Sequence, residues 1–338
     1  MIHPTRFPSK IFHKVFHRDH LSLGAAVILV IAAVISTALL SAGPAASYDR
    51  MFVESLEGYY ARSASCGTYI IYYADRGEKL AVEIEKIVCR SAGEIAAGIG
   101  LEKVSPVAFI IAPDTPSFRR LHSGRLPEWG EAFGDSRRMI IGIDASRILL
   151  SNRPLETVIK HELSHVFLAQ RTGGARSPSW FVEGLAMRQS REWTLGDQWR
   201  LALTVARDDV PRLEDLQGRF PKSAGKAAVA YRISYAAVDE LIGGGERDLV
   251  TFTAFLRDTR DFERAFILTF GETTGEFSGR FEAAMRSRYR RTALFLNISP
   301  YGLMLLVLFL FAYLFKRNRS RKRIEEWEKE DAEPPLPQ

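Results

Sequence analysis

His161-Glu162-Leu163-Ser164-His165 is the stretch whose residue types and spacing could do chemistry. On a helix, positions i and i+4 share a face, so both imidazoles can reach one metal ion. Glu162, next to the first of them, borders the same site and can take a proton from water activated there. A catalytic zinc keeps three protein ligands and one open position, so a third ligand is required. Glu183 lies eighteen positions beyond His165, in Trp180-Phe181-Val182-Glu183-Gly184-Leu185-Ala186. Gly173-Gly174 and Ser177-Pro178 turn the chain between the two, and a helix starting near Ser179 can carry Glu183 back. Its apolar neighbours argue for an inward-facing carboxylate. A buried carboxylate needs a partner, which a metal supplies.

HELSH followed by WFVEGLA resembles the gluzincin metallopeptidases. The aminopeptidase N-like branch has a similar spacing and a similar W-x-x-E-G-x-A, and the peptidase MA-like family is the nearer resemblance. It covers roughly residues 67–290. It implies one Zn²⁺ held by His161, His165 and Glu183, with Glu162 as general base, and a peptide or protein as substrate. Tyr231, followed three residues later by Ser234, looks like the family's oxyanion donor, and Tyr235 is the alternative donor on the same helix face. Glu131-Ala132-Phe133-Gly134 resembles the edge strand with which thermolysin-like enzymes pair substrate backbone. That makes Ala132 and Phe133 candidate substrate-binding residues, with Glu131 where those enzymes carry Asn. Two departures stand out. No Gly-x-Met-x-Asn motif precedes the helix, and Met187 occupies a position often filled by an Asp that orients a ligand histidine. Another residue must then orient that histidine.

The elements that must position these residues are legible in outline. Thr68–Tyr73 and Val107–Ala112 read as strands, being rich in β-branched and aromatic residues. Glu78–Ile99 has helical apolar spacing, and Asp114 or Thr115 can cap a short helix through Leu121. Glu131–Phe133 and Arg138–Ile143 read as a hairpin with Gly134-Asp135-Ser136 at its bend. From Pro154 to about Tyr289 the chain reads as mainly helical. Strands first and helices after predict an α+β fold: a thermolysin-like catalytic domain with a small antiparallel-edged sheet followed by a helical lobe. Cys66 and Cys89 could form one disulfide in an oxidising compartment or remain two separate thiols.

The 338 residues carry a net charge of +6, and a globular composition excludes a disordered, collagen-like or disulfide-scaffold protein. Residues 1–20 hold +3 of that charge and residues 316–338 hold +1. The remainder is near neutral, which removes the electrostatic case for nucleic acid. Each basic cluster abuts an uncharged run, at 21–42 and 292–315. Both runs read as transmembrane helices, with basic flanks that put both termini in the cytoplasm. The expected order is therefore a basic N-terminus (1–20), a span (21–42), a linker (43–66), an extracytoplasmic catalytic domain (67–291), a second span (292–315) and a tail (316–338). It makes the lipid bilayer of the inner membrane a partner. The rival to a peptidase is a non-catalytic module that keeps the fold to bind an envelope partner.

Overall fold

The computed structural model describes residues 48–122, 130–208, 210–218, 220–221, 223–243, 245–296 and 300–331. A short helix α1 (Arg50–Glu54) precedes strand β1 (Tyr60–Ser63), inside the segment read from sequence as a linker. There follow β2 (Tyr69–Tyr73), α2 (Glu78–Gly98), β3 (Val107–Ala112), α3 (Thr115–His122), β4 (Ala132–Asp135), β5 (Ile140–Asp144) and α4 (Ala145–Ile148). The helical half contains α5 (Leu155–Thr172), α6 (Ser179–Ser190), α7 (Leu195–Ala206), a 3₁₀ turn (Leu213–Leu216), α8 (Ala224–Ile242), α9 (Glu246–Thr259), α10 (Phe262–Phe270), α11 (Thr274–Leu296) and α12 (Pro300–Asp331).

The sheet order is β1-β2-β3-β5-β4. Both outer pairs are antiparallel, whereas β2, β3 and β5 run parallel to one another. This corrects the reading of strands first and helices after. Helices α2 and α3 are crossovers, and a crossover between neighbouring strands returns the second parallel to the first. β3 is buried at every position, as a parallel strand covered on both faces should be. Val107, Phe109 and Ile111 face the main core with α2 and α5, while Ala108, Ile110 and Ala112 face a smaller cluster with Val53, Phe118 and Phe133. A disulfide joins Cys66 to Cys89, tying the turn before β2 to α2.

The expectation of two membrane spans, and of a bilayer as partner, is also corrected. No helix among the described residues is long and apolar enough to cross a membrane. Within the run at 292–315, α11 is described as far as Leu296 and α12 from Pro300. The apolar part of α12, Pro300 to Phe315, rises only about 24 Å before Lys316, short of a hydrocarbon core of about 30 Å. The run at 21–42 lies outside the described residues.

Candidate metal centre

Helix α5 carries the HELSH stretch through the middle of the core. It starts after Pro154 and ends at Gly173, whose φ of +61° terminates it in the left-handed region. Val158, Ile159, Leu163, Val166 and Phe167 bury it, so the polar pair His161 and Glu162 is buried with it. Helix α6 follows Pro178 and is anchored by Trp180 and Phe181, which pack edge-on and stacked against Phe252, Phe262 and Phe277. That anchor turns Glu183 toward α5.

Donor atoms of His161, His165 and Glu183 lie within 4.8 Å of one another. Glu183 Oε2 stands 3.4 Å from His161 Nε2 and 3.6 Å from His165 Nε2. This oxygen is buried and has no hydrogen-bond partner. His161 Nδ1 lies 2.7 Å from Glu192 Oε1. A carboxylate only accepts, so Nδ1 donates and the Nε2 lone pair faces Glu183. Two acceptors facing each other at this distance call for a positive charge between them. Burial alone would lower the His161 pKa, but Glu192, Glu183 and Glu162 reverse this and raise it. Burial would likewise raise Glu183, and the two imidazoles pull it down instead. Ligand atoms about 2.0–2.2 Å from a tetrahedral zinc stand about 3.4 Å apart, the separation seen around Glu183. The donor set fits zinc.

Glu192 is a residue of the candidate site that the sequence reading did not find. It accepts hydrogen bonds from His161, from Ser190 Oγ at 2.9 Å and from Arg153 Nη2 at 2.9 Å. Burial would raise its pKa, yet the charges of His161 and Arg153 hold it well below the usual carboxylate range. It is placed to orient His161, where Met187, buried and uncharged, offers no group. Arg191 makes this possible: at φ +58° it ends α6 in the left-handed region and swings the next residue back. Such a bend at a non-glycine residue leaves no periodic signature in sequence.

These groups line a cavity of about 610 Å³ together with Glu131, Ala132, Phe133, Gly134, Tyr231 and Arg232. One wall is β4, the open edge of the sheet, beside α5. Phe133 directs its ring away, into the small cluster with Phe118 and His122, and over Gly142. A Cβ at Gly134 would come within 3.3 Å of Glu162 Oε2, so glycine there leaves the carboxylate its space. The opposite wall is α8, which approaches α6 closely. A Cβ at Gly184 would lie 2.2 Å from the Ser234 carbonyl oxygen.

The two candidate tyrosines part company. Tyr231 faces the metal centre's cavity and packs edge-on against Phe220. Burial, with Glu183 and Glu162 nearby, pushes its phenol pKa far up, so it keeps its proton. Tyr235 lines a separate cavity and stacks on Trp193 at 4.2 Å.

No protein-family model matches the chain, and no curated protein matches it. Among solved structures it is similar to the M1 zinc metallopeptidase from Deinococcus radiodurans, at 17% identity and a TM-score of 0.36, over 68% of this chain and 50% of that one. A mutant of an M1 zinc metallopeptidase from the same organism, bound to a Tyr-Ser-Ala substrate, gives 16% identity and a TM-score of 0.36 over 68% of this chain and 51% of that one. A two-domain M1 zinc metallopeptidase mutant bound to L-arginine gives 16% and 0.37 over the same shares. The chain spans about half the length of these structures.

Proposed function

We propose that this chain is a gluzincin-type zinc metallopeptidase that hydrolyses peptide bonds within extended chains. One observation carries the reading. A buried, unpartnered Glu183 oxygen converges with two histidine nitrogens in a cavity that also presents Glu162 and Tyr231. His161, His165 and Glu183 would hold Zn²⁺, which when bound supplies Lewis acidity toward water and the substrate carbonyl. Glu162 takes a proton from the attacking water and returns it to the leaving amine. Tyr231 donates its phenolic proton in a hydrogen bond to the oxyanion as charge develops. Glu192 and Arg153 hold the His161 ring and its tautomer. The free edge of β4 pairs with substrate backbone, which holds a peptide without requiring either terminus. The Cys66–Cys89 bridge supports an oxidising, extracytoplasmic compartment as the place of work.

The test uses the purified full chain. It should bind about one zinc and cleave quenched fluorescent peptides and unfolded protein. His161→Ala and Glu183→Ala should lose zinc, and Glu162→Gln should keep zinc and lose cleavage. Equal cleavage by Glu162→Gln and the parent chain would defeat the mechanism.

A further inference from the structure

Arg232 sits one residue beyond Tyr231 on α8, on the wall of the same cavity. Its Nε is buried and has no hydrogen-bond partner among the described residues. Two of the cavity's carboxylates are committed elsewhere, while Glu131 Oε2 is, like Arg232 Nε, buried without a hydrogen-bond partner among the described residues. Asp197 accepts from the backbone and hydroxyl of Thr194 and closes the start of α7. Glu192 is taken by His161, Ser190 and Arg153. Burial lowers the Arg232 pKa; the charge of Asp197, on the same cavity, opposes this and that of Arg200 adds to it. Arg232 is half-buried and its guanidinium stays charged at any working pH, so the orphaned Nε–H on the cavity wall is open to an anion that arrives with the substrate. Ala224, Ala227 and Ala228, all small, line the cavity on the same helix and leave room beside it. One residue along a helix turns the side chain by about 100°. Arg232 therefore points off the Tyr231 direction, toward α7, and would meet a group flanking the scissile bond and not the bond itself.

We propose that Arg232 is a specificity-determining residue that pairs with a carboxylate of the peptide substrate, from an acidic side chain or the C-terminus. The proposal rests on the peptidase reading of this cavity. It adds a selectivity that the backbone pairing of β4 cannot supply. The planar fork of arginine matches a carboxylate in two parallel hydrogen bonds, a geometry that lysine lacks.

The test measures binding, so that it does not depend on turnover. The full-length Glu162→Gln chain is loaded with zinc and titrated with fluorescent peptides. One set scans Glu against Gln along the sequence; another compares a free C-terminal acid with its amide. At one position or terminus the carboxylate should tighten binding roughly 10- to 100-fold. The set in which this occurs identifies the source of the carboxylate. Adding Arg232→Gln should bring that pair to parity while the uncharged peptides bind as before, and Arg232→Lys should restore only part of the preference. Equal binding within every pair, or a preference that survives Arg232→Gln, would overturn the assignment. Cleavage by the chain with Glu162 intact is scored separately: absence of hydrolysis with the preference retained would defeat the peptidase reading and leave the anion subsite standing.

Discussion

Replacing Glu192 tests whether a residue outside the ligand set governs the metal. Its Oε1 is shared by His161 Nδ1 at 2.7 Å, Arg153 Nη2 at 2.9 Å and Ser190 Oγ at 2.9 Å. Glu192→Gln keeps the shape and one acceptor but removes the charge that makes the bond to His161 charge-assisted and balances Arg153. Partners of this kind, when mutated, cost about 10- to 100-fold in metal affinity, or about 1.4–2.8 kcal/mol. A hydrogen bond to a charged group is worth about 1.5–3 kcal/mol, so the two estimates agree. Glu192→Ala should reach or exceed the upper end, because it leaves His161 Nδ1 and Arg153 without a partner. The assay is zinc competition against a chelator of known affinity, followed by peptide cleavage at saturating zinc. Zinc should bind more weakly in both variants, and saturating metal should return most of the Glu192→Gln rate. Zinc affinities within about threefold of the parent in both variants would refute the reasoning.

Gly184→Ala would force α6 and α8 apart, since the new Cβ would lie 2.2 Å from the Ser234 carbonyl. It should cost about 1–3 kcal/mol in denaturant unfolding and weaken zinc binding through Glu183. Tyr231→Phe should lower kcat about 10²- to 10³-fold with zinc content unchanged. Tyr235→Phe, which alters the other cavity, should change kcat by less than about twofold, and a reversed order would move the oxyanion role to Tyr235. Replacing both Cys66 and Cys89 with serine opens a link 23 residues apart in sequence and should lower stability by about 3 kcal/mol in urea titration.

The parts of the site that follow helical geometry were legible in the sequence. The spacing of His161 and His165 fixes a shared face, and the apolar setting of Glu183 indicates an inward carboxylate. Glu192 was hidden because it follows a left-handed turn at Arg191, where position no longer obeys a period. Arg232 was hidden because a charge next to a candidate tyrosine looks the same whether it is solvated or left unpaired in a cavity. In the sheet, each strand's existence followed from composition for β2 and β3. The parallel centre did not, since it depends on which neighbour a strand returns to after α2 and α3. β1, with a mostly exposed pattern, carried no apolar alternation to reveal it. The second apolar run misled through length alone: its described apolar stretch in α12, Pro300 to Phe315, is too short to cross a bilayer core.

The backbone contact at Gly184 also has a mechanical meaning. With no side chain between them, α6 and α8 have almost no freedom to slide, so Glu183 and Tyr231 travel as one body. For a peptidase, breathing of the cleft to admit a chain or release its fragments would then fall to the β4 wall. That wall is a four-residue strand held to the sheet along a single side. Under the proposed peptidase reading, the chemical groups on the helical side would keep their mutual spacing while exchange proceeds at the sheet edge.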